Sequence, residues 1–252
     1  MTERYADRVA VVTGAAQGIG AATARRLSAD GCTVVVVDLT EERALGTATA
    51  IEEAGGSAIA VGCDVADSAQ VEAAVAGVVD RFGRLDVLVN NAGLTRDNLL
   101  FKLTEADWDA VIDVNLKSAF LMSKAASKPM VEARHGKIVN LSSISAKGNR
   151  GQANYAAAKM GIQGFTATLA EELGPFGINV NAVAPGYVAT AMTAATALRV
   201  GMTPEEHQEA AAARTNLRRV AHPEDIANVI AFLVSEDAAF VTGQTIYATG
   251  NR

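Results

Sequence analysis

The sequence holds few of the residues that carry metal, thiol or membrane chemistry. Its 252 residues include two cysteines and three histidines, and no His or Cys stands at metal-ligand spacing, so no metal site is expected. Cys32 and Cys63 fall at the start of one expected strand and the end of another. Small apolar side chains pack at such places, so both read as core rather than as a disulfide or a catalytic thiol. Only five prolines occur, and no Pro/Ser-rich linker, charge block or internal repeat divides the chain. A single domain over 1–252 is therefore expected. Charged residues interrupt every apolar run well short of the roughly 18–20 residues that cross a bilayer, and the first eight residues contain no apolar signal core. A cytoplasmic location without a membrane partner follows as an expectation. A net charge of −6 gives no general attraction to polyanions, which argues against nucleic acid as a partner.

Half of the residues are hydrophobic, and their order is informative. Seven apolar, largely β-branched runs read as strands: Val9–Thr13, Thr33–Asp38, Ala58–Cys63, Asp86–Asn90, Lys137–Ser142, Ile178–Val183 and Thr245–Ala248. Helical periodicity runs between them through Gly18–Ala29, Glu41–Ala54, Ser68–Phe82, Glu105–Ala133, Asn154–Leu173 and Glu224–Ser235. Thr104 before Glu105, with Asp107 at the third helical position, reads as a cap, and Gly174-Pro175 as a helix end. Unbroken alternation of strand and helix implies right-handed crossovers, and so an α/β Rossmann-type, doubly wound parallel sheet with helices on both faces. Ligands of such sheets sit beyond the carboxyl ends of the strands. The segment 189–221 breaks the rhythm. Its Ala-rich, partly helical character suggests either a mobile flap over the ligand crevice or a packed helical pair without a gating role.

The first strand leads straight into Thr13-Gly14-Ala-Ala-Gln17-Gly18-Ile19-Gly20 at the start of a helix. Glycine is needed where backbone amides approach a pyrophosphate closely, and a helix N-terminus adds positive partial charge. The spacing departs from the usual G-x-G-x-x-G, so a Gly-rich turn without a ligand stays open on this segment alone. Asp38 ends the second strand, eighteen residues after Gly20, where a carboxylate can accept from both adenosine ribose hydroxyls. A 2′-phosphate would meet that carboxylate, with no Arg or Lys from Ala15 to Gln17 or at Leu39 to offset it. NAD(H) is therefore favoured over NADP(H), although Arg43 lies close enough to swing across. Asp64 could accept from an adenine amino group, and Asn90-Asn91-Ala92-Gly93 supplies a turn near the adenosine.

Tyr155 and Lys159 stand four apart in a helical stretch, so they share one face. Bringing a phenol from a pKa of about 10 to neutrality takes about 4 kcal/mol. A cation about 4 Å away at an effective dielectric of about 20 supplies that order of energy. The pair is thus expected to exchange protons near pH 7, unless it is an ordinary exposed amphipathic pair.

In this order, TGAAQGIG, Asp38, CDV, NNAG, VNL around Asn115, NLSS, YAAAK and APG resemble the short-chain dehydrogenase/reductase family over essentially the whole chain. The resemblance implies that Tyr155 is the general acid/base, that Lys159 lowers its pKa and bonds the nicotinamide ribose, and that Asn115 holds a water linking Lys159 to solvent. It places the cofactor against Gly14, Gln17, Gly18, Ile19 and Gly20, against Asp38, Leu39, Asp64 and Val65, and against Asn91, Ala92 and Gly93. Tyr155 and Lys159 would complete that surface with Pro185, Gly186, Val188 and Thr190, which would fix the carboxamide. A serine at the end of the fifth strand would bond the substrate carbonyl. Spacing from Tyr155 favours Ser142, whereas strand register counted from Asn140 favours Ser143. Strand faces alternate with every residue and loops tolerate deletions, so Ser143 is preferred.

Within the family the chain most resembles 3-oxoacyl-[acyl-carrier-protein] reductases, through Thr95–Leu100, Arg134–Gly136 and Gly151–Tyr155. Reduction of a 3-oxoacyl thioester is then the implied activity, on a carrier protein or on coenzyme A. Glu171, Glu172 and Phe176 stand where such reductases tend to place basic side chains, which favours CoA esters. A secondary-alcohol or sugar dehydrogenase is the alternative, and a non-catalytic NAD-binding subunit an alternative of another class. A homotetramer is the family expectation.

Overall fold

The computed structural model describes residues 5 and 7–251. Strands β1 (Val9–Thr13), β2 (Thr33–Asp38), β3 (Ser57–Gly62), β4 (Val87–Asn90), β5 (Gly136–Leu141), β6 (Ile178–Pro185) and β7 (Thr245–Ala248) form one sheet in the order β3-β2-β1-β4-β5-β6-β7. Every pairing is parallel. All residues of β1, β4 and β5 are buried, as expected of strands covered on both faces.

The period of two divides each strand between two cores. Ala10, Val12, Val34 and Val36 join Leu27 of α1 (Gly18–Ala29) and Ile226 and Ile230 of α9 (Pro223–Val234) on one face. Val9, Val11, Val35 and Val37 join Val75 and Val78 of α3 (Ser68–Phe82) and Met122 and Met130 of α5 (Ser118–Ala133) on the other. Each fully buried valine or leucine contributes about 1.5–3 kcal/mol, and a shift of register by one residue would exchange the two faces. Cys32 and Cys63 are free and buried. Burial pushes their thiols up to about 12 and about 11, so neither is a ready nucleophile.

Helix α2 spans Glu41–Glu53 and α6 spans Ala153–Leu173, which ends in a tight turn at Gly174–Phe176. The helix expected over Glu105–Ala133 is not continuous. After α4 (Glu105–Ile112), capped by Thr104, which accepts from Asp107 N at 3.1 Å, the backbone widens into a π-helical turn over Asp113–Lys117 before α5. The segment 189–221 holds two helices, α7 (Ala191–Arg199) and α8 (Pro204–Ala212). Its neck is tied by Ala189 N to Ala221 O at 2.9 Å and Ala221 N to Tyr187 O at 3.0 Å. No described helix is long and apolar enough to cross a membrane.

Candidate active site

A crevice of about 1070 Å³ opens along the carboxyl ends of the strands. β1 and β4 are neighbours in the sheet but not in sequence, so the crossovers diverge here and leave room between the turns that follow them. Gly14 and Gly18 adopt φ of 62° and 58°. A Cβ on Gly14 would stand 2.8 Å from the Ala92 backbone, so only glycine lets the two turns approach this closely. Gly20 does not line the crevice. It packs beneath it against the Gly14 carbonyl and Asn91. Asn91 fastens the turns by donating from Nδ2 to the carbonyls of Thr13 and Gly14 at 2.9 and 3.0 Å.

Asp38 is buried at the end of β2. Ala16 N donates to its Oδ2 at 3.1 Å and Leu39 N to its Oδ1 at 2.9 Å. Arg43 Nε does swing across, pairing with Oδ1 at 3.0 Å. Gln17, Ile19, Leu39, Asp64 and Val65 line the crevice too, as do Asn91, Ala92, Gly93, Pro185, Gly186, Val188 and Thr190.

The two serines after β5 diverge. Ser142 donates to the carbonyl of Lys159 at 2.8 Å and accepts from Gln163 Nε2 at 3.1 Å. Ser143 stands beside the Tyr155 phenol, whose pKa it lowers, and accepts from Ser145 N at 3.1 Å. Both line the crevice.

Lys159 is 3% exposed, donates from Nζ to Leu141 O at 2.7 Å and lies 5.5 Å from the Tyr155 ring centre. The expected neutral phenol pKa is not reached by this pair alone. Burial pushes Tyr155 up to about 12, outweighing the lowering influence of Ser143, and burial pulls Lys159 down to about 8. Desolvation penalises both charged forms, and it exceeds what one ammonium supplies from that distance.

Asn115 sits on the π-helical turn behind Gly93 rather than on the crevice wall. Its Nδ2 donates to Leu94 O and Val111 O, each at 2.9 Å, while its buried Oδ1 has no partner among the described residues. A Cβ on Gly93 would lie 2.6 Å from that Oδ1 and 3.6 Å from Lys159 Nζ. The lysine and the asparagine oxygen therefore face one small space.

A family model described as enoyl-(acyl carrier protein) reductase matches residues 14–250. The chain is 48% identical over 246 residues to the short-chain reductase protein NovJ of Streptomyces niveus, covering 98% of this chain and 94% of that protein. The chain belongs to the short-chain dehydrogenase/reductase family. It is an oxidoreductase that works with a nicotinamide cofactor. The 3-oxoacyl-[acyl-carrier-protein] reductase FabG of Thermotoga maritima is 43% identical over 248 residues, with 98% of each chain covered. Levodione reductase superposes with a TM-score of 0.94 at 36% identity, again with 98% of each chain covered.

Some residues of the crevice carry no motif in the sequence. Helices α7 and α8 and the turn after α8 contribute Met192, Thr196, His207 and Arg214 to the crevice wall. Their signal was present as helical spacing within the segment that broke the strand–helix rhythm. Tyr187 extends the turn after β6 and bonds His207 Nδ1 at 3.0 Å.

Proposed function

We propose that the enzyme reduces the ketone of a 3-oxoacyl thioester to the 3-hydroxyacyl thioester, with NADH as donor. The observation that carries this reading is the approach of Ser143 to the Tyr155 phenol, which sets two hydroxyls side by side to meet one carbonyl oxygen. The family description names reduction of an enoyl group; a carbonyl suits paired hydroxyl donors better. The Thermotoga maritima relative is named for 3-oxoacyl substrates on acyl-carrier protein, which supports the substrate class. At the end of α6, Arg134 donates to Pro175 O at 2.9 Å and stacks over Phe176, beside exposed Glu171 and Glu172. That surface offers an acidic carrier protein little complementarity, so coenzyme A esters are the proposed form.

The glycine cradle at Gly14 and Gly18, the donor-laden Asp38 and the orphan Asn115 Oδ1 fit a dinucleotide. Its pyrophosphate would rest on the Gly14–Gly20 turn at the start of α1, its adenosine ribose on Asp38, its adenine by Asp64 and its nicotinamide between Tyr155 and Pro185–Thr190. Asp38 is the ground for preferring NADH, since a 2′-phosphate would displace Arg43 and face the carboxylate. The bound nicotinamide supplies the hydride and, when oxidised, a positive charge near the phenol.

Tyr155 gives its proton to the substrate oxygen while Ser143 donates to the same atom, and such positioned donors contribute about 10²–10⁴-fold in rate. Lys159, held by Leu141 O, returns a proton to Tyr155. The space that Lys159 shares with Asn115 Oδ1 provides the route from solvent. The chain is proposed to act as one domain, with 189–221 as the wall over the substrate, in the cytoplasm and as a homotetramer. Exposed Phe120 on α5 and Met160 on α6 are apolar surface suited to pairing of these helices, which light scattering would read.

The test is NADH and NADPH oxidation with acetoacetyl-CoA, acetoacetyl carrier protein and a panel of simple ketones and sugars. Turnover of acetoacetyl-CoA with NADH to 3-hydroxybutyryl-CoA supports the reading. Turnover of the simple ketones alone favours the secondary-alcohol dehydrogenase, and cofactor binding without turnover favours a binding subunit.

A further inference from the structure

Helix α8 covers the crevice with a face that touches no core. None of its residues is buried, yet His207, Ala210, Ala211 and, in the turn just past its end, Arg214 all line the crevice. Their spacing of three, four and seven puts them on one helical face, and the helical turn continues through Arg214 N to Ala211 O at 3.0 Å and Thr215 N to Ala212 O at 3.0 Å. Two alanines keep the middle of this face clear, and the two nitrogen-bearing side chains flank it. Tyr187, after β6, hydrogen-bonds His207 Nδ1 at 3.0 Å.

The charged lining is unevenly distributed. Asp38, Arg43 and Asp64 belong to the adenosine arm, and Lys159 is bound to Leu141 O. Arg214 is the remaining charged group on the wall, and no carboxylate accompanies it there. Among the described residues no hydrogen bond or ion pair reaches its guanidinium, whereas nearby Arg219 is paired with Asp225 at 2.6 Å. On a protein of net charge −6, an arginine without a carboxylate on a ligand wall is a place for an anion. The wall is anchored at this point, since Asn216 N donates to Asn251 Oδ1 at 2.9 Å and Leu217 N to Gly250 O at 3.3 Å.

We infer that Arg214 is a specificity-determining residue that holds an oxyanion of the substrate remote from the carbonyl being reduced, either a phosphate of the thioester's carrier arm or a carboxylate. The phosphate source rests on the thioester reading above; the carboxylate source does not. The test compares the wild type with Arg214→Gln and Arg214→Lys on two matched pairs. One pair is acetoacetyl-CoA against the neutral acetoacetyl-N-acetylcysteamine, and the other is acetoacetate against methyl acetoacetate. Calorimetric binding of coenzyme A against neutral pantetheine, and of acetoacetate against its ester, reads the same contrast without turnover.

For the pair that carries the true anion, Arg214→Gln lowers the ratio of anionic to neutral kcat/KM, and of affinity, about tenfold through KM, the scale of one charge-assisted hydrogen bond. Arg214→Lys recovers part of the ratio, and added salt weakens the wild-type preference more than the Gln variant's. Ratios unchanged in both pairs, or both members falling together, overturn the inference. A wild type that binds and reduces neither thioester but discriminates within the second pair through Arg214 sinks the thioester reading and leaves the arginine's role standing.

Discussion

Ser143 stands beside the phenol of Tyr155 and lowers its pKa, while its neighbour Ser142 donates to the carbonyl of Lys159 at 2.8 Å. Two adjacent, identical side chains thereby acquire different tasks. Replacing Ser143 with Ala is expected to lower kcat by about 10²–10³ with cofactor affinity retained. Replacing Ser142 with Ala is expected to cost about 1–3 kcal/mol of stability through the lost partners of Lys159 and Gln163, with a smaller kinetic effect. Steady-state kinetics and denaturant unfolding of both variants check this, and a reversed ranking in kcat would return the role to Ser142.

Burial sets the pH dependence. Lys159 is pulled down to about 8, so its charge disappears as pH rises through that value, and kcat/KM for reduction should fall with an apparent pKa near 8. Tyr155, held up to about 12, stays protonated and adds no falling limb below that. Stability moves the other way. Between about 8 and the unfolded lysine's value near 10.4 the unfolded chain binds more protons, so stability rises with pH there. Lys159→Met should flatten that rise. A rate profile level to pH 10 contradicts the assignment.

Cofactor choice is expected to turn on Asp38 and its ion pair with Arg43 at 3.0 Å. Asp38→Ser removes the carboxylate and frees the guanidinium, so the kcat/KM preference for NADH over NADPH should shrink about tenfold or more. Arg43→Ala, by contrast, should leave NADPH no better used. Kinetics with both cofactors for both variants decide it; an unchanged ratio in Asp38→Ser removes this carboxylate from cofactor selection.

Gly93 stands against the orphan oxygen of Asn115. A methyl group there would lie 2.6 Å from Oδ1, so Gly93→Ala should displace the asparagine and reduce turnover about tenfold or more, alongside about 1–3 kcal/mol of overpacking. Because both changes act on one space, Gly93→Ala combined with Asn115→Ala should cost turnover little beyond the worse single variant. Additive losses would separate the two residues.

The sheet was legible because buried parallel strands leave unbroken β-branched runs such as Thr33–Val37, and the helices between them have period 3.6. The break at Asp113–Lys117 was not, since a π-helical turn changes the hydrogen-bond ladder without interrupting the apolar pattern. Strand alternation separated the two serines, of which Ser142 is held by the carbonyl of Lys159. It could not supply the phenol's pKa, because desolvation depends on what surrounds Tyr155 and Lys159 and not on their spacing. The Asp38–Arg43 pair depends on a side-chain rotamer, and the crevice-facing side of α8 on how that helix is docked, so neither was readable beforehand.

The central claim is that Tyr155 delivers the proton that accompanies hydride reduction of a 3-oxoacyl carbonyl. NADH oxidation at pH 7 with acetoacetyl-CoA, followed for the wild type and for Tyr155→Phe, tests it most directly. Turnover in the wild type and a loss of about 10²-fold or more in the variant, with NADH binding kept, is the predicted result. Equal rates for the two proteins would contradict it.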